Sequence, residues 1–244
     1  MRPYVLPALA LLGLATPAAA DGFTPAQRDE IVRIVRDALK ADPSILREAL
    51  TAMQADEVRR QDKVTSDLLG LIGPKLIDPA DPVAGNPQGD VTIVEFYDTR
   101  CPYCRRMLPT MAELLRAEPN VRWVYKDWPI LGAGSQLESR ALLAAQRQGG
   151  YFKLQDALMH SNAPPTTESL RAAAGRLGLD GAQLLRDMDD PSVKARLDAN
   201  FALAQQIGLQ GTPALVIGQR VIGGAAELAE LRQAVADARQ AKRD

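Results

Sequence analysis

Val91-Thr92-Ile93-Val94-Glu95-Phe96-Tyr97-Asp98-Thr99-Arg100-Cys101-Pro102-Tyr103-Cys104-Arg105-Arg106 holds both cysteines of the 244-residue chain. It passes from the pattern of a strand to that of a helix. Residues 91 to 97 are β-branched or aromatic and nearly continuously apolar, as expected of a strand covered on both faces. After Asp98 the apolar residues Met107, Leu108, Met111, Leu114 and Leu115 recur at helical spacing. The helix is expected to begin near Pro102, whose missing N–H costs nothing in a first turn. Cys101 then stands at the helix N-terminus, expected to be the exposed thiol with Cys104 turned inward, where free N–H groups and the positive end of the dipole favour a thiolate. Cys104 follows on the same side of the first turn, within reach of a disulfide.

Such a pair can cycle between dithiol and disulfide. A structural staple is the competing reading, but a loop closed over two intervening residues constrains little of the unfolded chain. Structural zinc wants four ligands, and beyond the two cysteines there is one distant histidine, His160. His160 is expected to cap a helix C-terminus, and with no nucleophile signature beside it Ser-His-Asp chemistry is not expected.

Met1-Arg2, the apolar run from Val5 to Leu14 and Ala18-Ala19-Ala20 read as a secretory signal peptide over residues 1 to 20, cleaved after Ala20. Export to an oxidising, periplasmic compartment follows. A chain with two cysteines and ample length for a core does not need a stapled framework there, so reactivity explains the pair better. No later segment reaches about 18 apolar residues, which argues against a membrane span. Removal of Arg2 leaves 28 basic residues against 30 acidic ones, so neither nucleic acid nor an anionic membrane is expected as the main partner.

Residues 21 to 72 read as an N-terminal helical segment and linker. One amphipathic helix runs from about 24 to 40, opened by Thr24-Pro25 with Gln27 as its capping partner, and carries Ile31, Ile34, Val35, Ala38 and Leu39. A second starts near Ser44 with Ile45, Leu46, Ala49, Leu50 and Met53 and runs on through the charged stretch 56 to 63. Two helices too small for a core of their own can pack on the main domain or on another copy, and the charged stretch favours the second, giving a homodimer or homotrimer.

Residues 73 to 244 form the main domain. A short strand is expected at Lys75-Leu76-Ile77-Asp78, then a loop from Asp81 to Gly89. After the cysteine helix comes a strand at Val121 to Lys126, completing a βαβ unit. A helical block covers about 135 to 208. Gly211-Thr212-Pro213 precedes two strands at 214–217 and 220–222 and a closing helix over 226–241, and the peptide before Pro213 is either cis or an ordinary trans turn. Glu95 and Lys126 are each the charged residue of an apolar strand, and a buried pair beneath the cysteines is expected, with Lys126 facing solvent as the alternative.

Three separated pieces, the strand leading to Cys101-Pro102-Tyr103-Cys104, the helical block, and Gly211-Thr212-Pro213 before a hairpin and helix, resemble the DsbA-like thiol:disulfide oxidoreductases over residues 75 to 244. The tetrapeptide is shared with glutaredoxins; the signal peptide and helical block set this chain apart from them. Asp42-Pro43-Ser44-Ile45-Leu46-Arg47-Glu48-Ala49-Leu50 is similar to the subgroup containing the suppressor of copper sensitivity protein C. The resemblance implies an α/β thioredoxin fold with a helical insertion, preceded by an N-terminal oligomerisation segment. It implies Cys101 as nucleophile, Cys104 as resolving thiol, Thr212 and Pro213 as a loop facing the disulfide, and an acidic function at Glu95. It also implies cysteine-containing exported proteins as substrates, a membrane redox partner, and no cofactor beyond the Cys101–Cys104 disulfide. Isomerase or reductase behaviour is expected over net oxidation, because Tyr103 cannot supply the positive charge that a histidine would. A Cu(I)-binding protein that uses the same two thiolates as ligands is the rival from another class.

Overall fold

A computed structural model describes residues 22 to 243, so the signal-peptide reading of residues 1 to 20 lies outside the described residues. The chain divides into two compact units, one ending at Glu57 and one beginning at Val58.

The first unit holds α1 (Pro25–Ala41) and the start of α2 (Ser44–Ile72). Thr24 and Gln27 form the expected capping box: Gln27 N–H donates to Thr24 Oγ1 at 3.4 Å, and Thr24 N–H donates to Gln27 Oε1 at 2.9 Å. No residue of α1 is buried, and Ile31, Ile34, Val35, Ile45, Leu46, Leu50 and Met53 are all exposed.

The second unit is built on a five-stranded sheet of β1 (Val83–Gly85), β2 (Val91–Tyr97), β3 (Val121–Asp127), β4 (Ala214–Ile217) and β5 (Arg220–Gly223), in the order β1-β3-β2-β4-β5. Only β2 and β3 run parallel, joined through α3 (Pro102–Ala117) as a βαβ unit. The helical block comprises α4 (Ala133–Gln146), α5 (Tyr151–Met159), α6 (Thr167–Arg176), α7 (Gly181–Asp187) and α8 (Pro191–Ile207), and α9 (Leu228–Ala241) closes the chain. His160 is the C-cap of α5, as expected. Gly208 ends α8 at φ 80°, the left-handed conformation that glycine adopts without strain.

Alternation along the strands sorts the side chains between two cores. Val91, Ile93, Tyr97, Trp123, Tyr125, Leu215 and Ile217 face the larger one, with α3, the helical block and α9. Val94, Phe96, Val124, Ala214 and Val216 face the other, with Leu69 and Ile72 of α2 and Ala204 and Ile207 of α8. β2 is therefore apolar on both sides, and each fully buried large side chain contributes roughly 1.5–3 kcal/mol.

Two expectations need correction. The strand expected at Lys75 to Asp78 is absent: Gly73–Lys75 is a 3-10 turn, and Asp78 turns the chain by accepting the Ala80 N–H at 2.8 Å. The strand lies later, at Val83–Gly85, inside the expected loop, where it pairs antiparallel with β3. Gly85, at φ 73°, permits this because a Cβ there would lie 2.6 Å from the Val121 carbonyl oxygen. The second compact unit takes in the chain from Val58, and Leu69 and Ile72 of α2 cover the second sheet face.

Candidate active site

β2 ends against the N-terminus of α3, whose N-cap is Cys101 and whose first helical residue is Pro102. Cys101 N–H donates to the Asp98 carbonyl at 3.0 Å, and Arg105 N–H donates to the Cys101 carbonyl at 3.1 Å, which fixes the turn from strand to helix. Both cysteines are free thiols.

The chain returns to this point much later. The Thr212–Pro213 peptide is cis, and the Thr212 carbonyl oxygen lies 3.2 Å from Cys101 Sγ. Cys101 is thereby covered to 4% exposure, against the expectation of an exposed thiol, while Cys104 is buried at 1%. The asymmetry expected between the two is electronic. Hydrogen bonding from the Cys104 thiol, then from Thr212 and the backbone N–H groups of Cys104 and Tyr103, holds the Cys101 pKa down to about 5 despite desolvation. Cys104 goes the other way, pushed well up by burial, then by its bond to Cys101 and by the charge of Glu95. Tyr103 projects outward, 54% exposed, under the guanidinium of Arg106 at 4.5 Å.

Glu95 is buried on the cysteine side of the sheet, but its partner is not Lys126. In the parallel register Glu95 stands opposite Tyr125 and Phe96 opposite Lys126, so the two charges project from opposite faces. Lys126 does not face solvent either: its Nζ lies 2.6 Å from Asp81 Oδ2, and both side chains are nearly inaccessible. Asp81 also accepts the Asp78 N–H at 2.7 Å and lies 3.7 Å from Arg196. Glu95 accepts instead from the indole N–H of Trp123 at 2.9 Å. Burial raises its pKa to about 7, with Trp123 opposing and Cys101 adding to the rise.

A further buried acid was not anticipated. Asp127, at the end of β3, accepts from Tyr151 Oη at 2.9 Å and from Tyr97 Oη at 3.2 Å, and burial lifts its pKa to about 7. An aspartate closing an apolar strand was the available signal; its tyrosine partners come from β2 and from α5, which no local pattern links to it.

Beside Cys101 opens a groove of about 700 Å³. Tyr103 and Arg106 of α3, residues 207 to 212 and 223 to 225, and Gln61 and Thr65 of α2 line it. Among the described residues no cluster of three or more His, Cys, Asp or Glu is placed to hold a metal ion, and no helix is long and apolar enough to cross a membrane.

Comparison with known proteins agrees with this geometry. Residues 92–236 match the DSBA-like thioredoxin domain, and residues 27–58 match the copper resistance protein ScsC N-terminal domain. A thioredoxin-like oxidoreductase from Silicibacter pomeroyi is 45% identical, with 68% of this chain and 95% of that one covered at a TM-score of 0.65. A linker-deletion mutant of Proteus mirabilis ScsC is 26% identical, with 90% of this chain and 98% of that one covered at a TM-score of 0.66. A curated Na(+)/H(+) antiporter NhaA 1 of Salinispora arenicola is 29% identical over 72% of this chain, which spans 27% of that protein's length.

Proposed function

The chain belongs to the DSBA-like thioredoxin-domain family, and from that premise we propose that it is an exported thiol:disulfide interchange enzyme acting as an isomerase or reductase on cysteine-containing proteins. The observation that carries this is the split between the two thiols. Cys101, with its pKa held near 5, is a thiolate at neutral pH and attacks a substrate disulfide. Cys104, held as a thiol, waits until the mixed disulfide forms and then displaces the substrate sulfur. The groove beside Cys101 receives the substrate chain, with Thr212 and Pro213 against its backbone. Glu95 takes the proton that Cys104 gives up.

The N-terminal helices support a homodimer or homotrimer, since their apolar positions are exposed in a single copy. Catalytic domains gathered around a shared space hold a misfolded substrate while its disulfides are reshuffled. Tyr103, a neutral and exposed side chain, adds no charge to the thiols, which supports the same direction. The alternative is a net dithiol oxidase kept oxidised by a membrane partner, because a stabilised thiolate also favours the reduced enzyme. Refolding of scrambled ribonuclease and oxidation of a reduced dithiol peptide by the purified protein decide the direction. Rescue of the scrambled substrate with slow peptide oxidation is the expected pair of results. Fast oxidation with no rescue would leave an oxidase.

A second reading, Cu(I) binding through Cys101 and Cys104, is favoured by the match of residues 27–58 to the copper resistance protein domain. Cu(I) titration of the wild type and of Cys101→Ser tests it, stoichiometric binding lost in the variant being its signature.

A further inference from the structure

Glu95 is a buried carboxylate for which, among the described residues, no ion pair is found. A carboxyl group so placed is costly as an anion unless something donates to it. The titratable groups facing it are Cys101 and Cys104 from α3 and Tyr125 from β3. β4 presents the apolar Leu215 opposite it, and α9 contributes Leu231, Ala234 and Val235 to the same core. The nearest strand cation, Lys126, is on the other face and already paired with Asp81. What reaches Glu95 is one indole N–H. Trp123 stands opposite Ile93, two positions from the Glu95 level, and its side chain crosses the parallel pair diagonally to put Nε1 2.9 Å from Glu95 Oε2. The ring is fully buried beside Tyr125, with centroids 6.5 Å apart.

We propose that Trp123 is a positioning residue for the resolving step, its indole N–H holding the Glu95 carboxylate in place to receive the Cys104 proton where a cation would otherwise be required. This rests on the disulfide-exchange reading above. An indole is a donor only and carries no charge. It steadies the carboxylate without locking it as an anion, so Glu95 can take a proton and release it near neutral pH. In the step concerned, the Cys104 thiol passes its proton to Glu95. Its sulfur attacks Cys101 Sγ in the mixed disulfide, and the Cys101–Cys104 bond forms. The Cys101–substrate bond breaks, and the electron pair leaves on the substrate sulfur, which water protonates. The enzyme dithiol has then lost two electrons and the substrate disulfide has gained them.

The chain has two tryptophans, Trp123 and Trp128, so a ¹H–¹⁵N spectrum of the reduced full chain contains two indole signals, assigned with Trp128→Phe. Between pH 5 and 9 the Trp123 signal is expected to move with a midpoint near 7, and to lose that transition in Glu95→Gln. This measurement on the native sequence does not depend on any variant at Trp123 folding. In kinetics, Cys101 is loaded with glutathione at low pH and glutathione release is followed after a pH jump. Trp123→Phe is expected to move the inflection up by about one to two pH units, the worth of a hydrogen bond to a charged group. Glu95→Gln should abolish the inflection, and Trp123→Phe in that background should not alter the shape of the profile. A Trp123 signal that does not titrate, or one that titrates equally in Glu95→Gln, overturns the proposal. So does an inflection unmoved in a folded Trp123→Phe. If the wild type releases no glutathione at any pH, the disulfide-exchange reading has failed, and the indole titration still decides whether Trp123 serves Glu95.

Discussion

The carbonyl oxygen of Thr212 lies 3.2 Å from Cys101 Sγ, although 111 residues separate the two. This contact covers the Cys101 sulfur and sets the loop before β4 against the first turn of α3. The carbonyl shields Cys101, while hydrogen bonds from the Cys104 thiol, the Thr212 side chain and the backbone N–H groups of Cys104 and Tyr103 hold its pKa down.

The first prediction concerns the two thiols. Alkylation of the reduced protein at pH 6 with a small reagent such as iodoacetamide should modify Cys101 and spare Cys104. The rate should rise with an inflection near pH 5. In Cys104→Ala the inflection should move up toward the ordinary thiol value of 9.0, because the Cys104 thiol is the largest influence holding it down. Peptide mapping after labelling checks the order, and preferential modification of Cys104 would reverse the assignment of roles.

The buried carboxyls of Glu95 and Asp127 should make stability fall as pH rises from about 4 to about 7, outweighing the opposite contribution of the depressed Cys101 pKa above about 5. Glu95 and Asp127 both have raised folded pKa values, so across that window the native state binds more protons than the unfolded chain, and unfolding free energy decreases with pH. The contribution is on the order of 3 kcal/mol for each group, complete once pH exceeds the folded values. Urea titrations at pH 4.5 and 7.5 should show a smaller difference in Glu95→Gln and in Asp127→Asn than in the wild type. An unchanged difference would mean that these carboxyls are ionised in the fold.

Removing one partner of the Lys126–Asp81 pair should be severe. Asp81→Ala leaves a buried ammonium beneath the sheet and should cost about 3–5 kcal/mol, measured by chemical denaturation. The double variant Asp81→Ala, Lys126→Met should be more stable than Asp81→Ala alone, since it removes the stranded charge. Thiol exchange by the folded fraction should persist in the double variant, because this pair lies on the sheet face away from Glu95.

Light scattering on a chain from Asp21 and on a truncation beginning at Val58 tests assembly. The longer chain should be a dimer or trimer and the shorter one a monomer that retains its thiol exchange. Leu46→Glu with Leu50→Glu, which places charge among the exposed apolar side chains of α2, should dissociate the longer chain. A monomeric longer chain would remove the assembly role of these helices.

Much of the fold was legible because it is written locally. The change of period at Asp98, Pro102 after Cys101, the capping box of Thr24 and Gln27, and the glycines and prolines between the helices of the block each act within a few residues. They place β2, α3, α1 and the span of the helical block to within a few residues of where they occur. β1 was missed because Val83-Ala84-Gly85 has the composition of a loop, and it becomes a strand only through the edge that β3 offers. Trp123, Asp127 and Asp81 were missed as site or core polar groups for a related reason: each is defined by a partner from another element.

The placement of the two thiols is written locally, since Cys101-Pro102-Tyr103-Cys104 puts Cys101 at the N-cap of α3, against the positive end of its dipole, and Cys104 on the first turn. Only the tertiary structure decided which groups surround them. Side chains alternate across a sheet, and the register between two parallel strands, set by the packing of both faces, decides which of them meet. That register gave Glu95 the indole of Trp123 and sent Lys126 through to the other side, to Asp81.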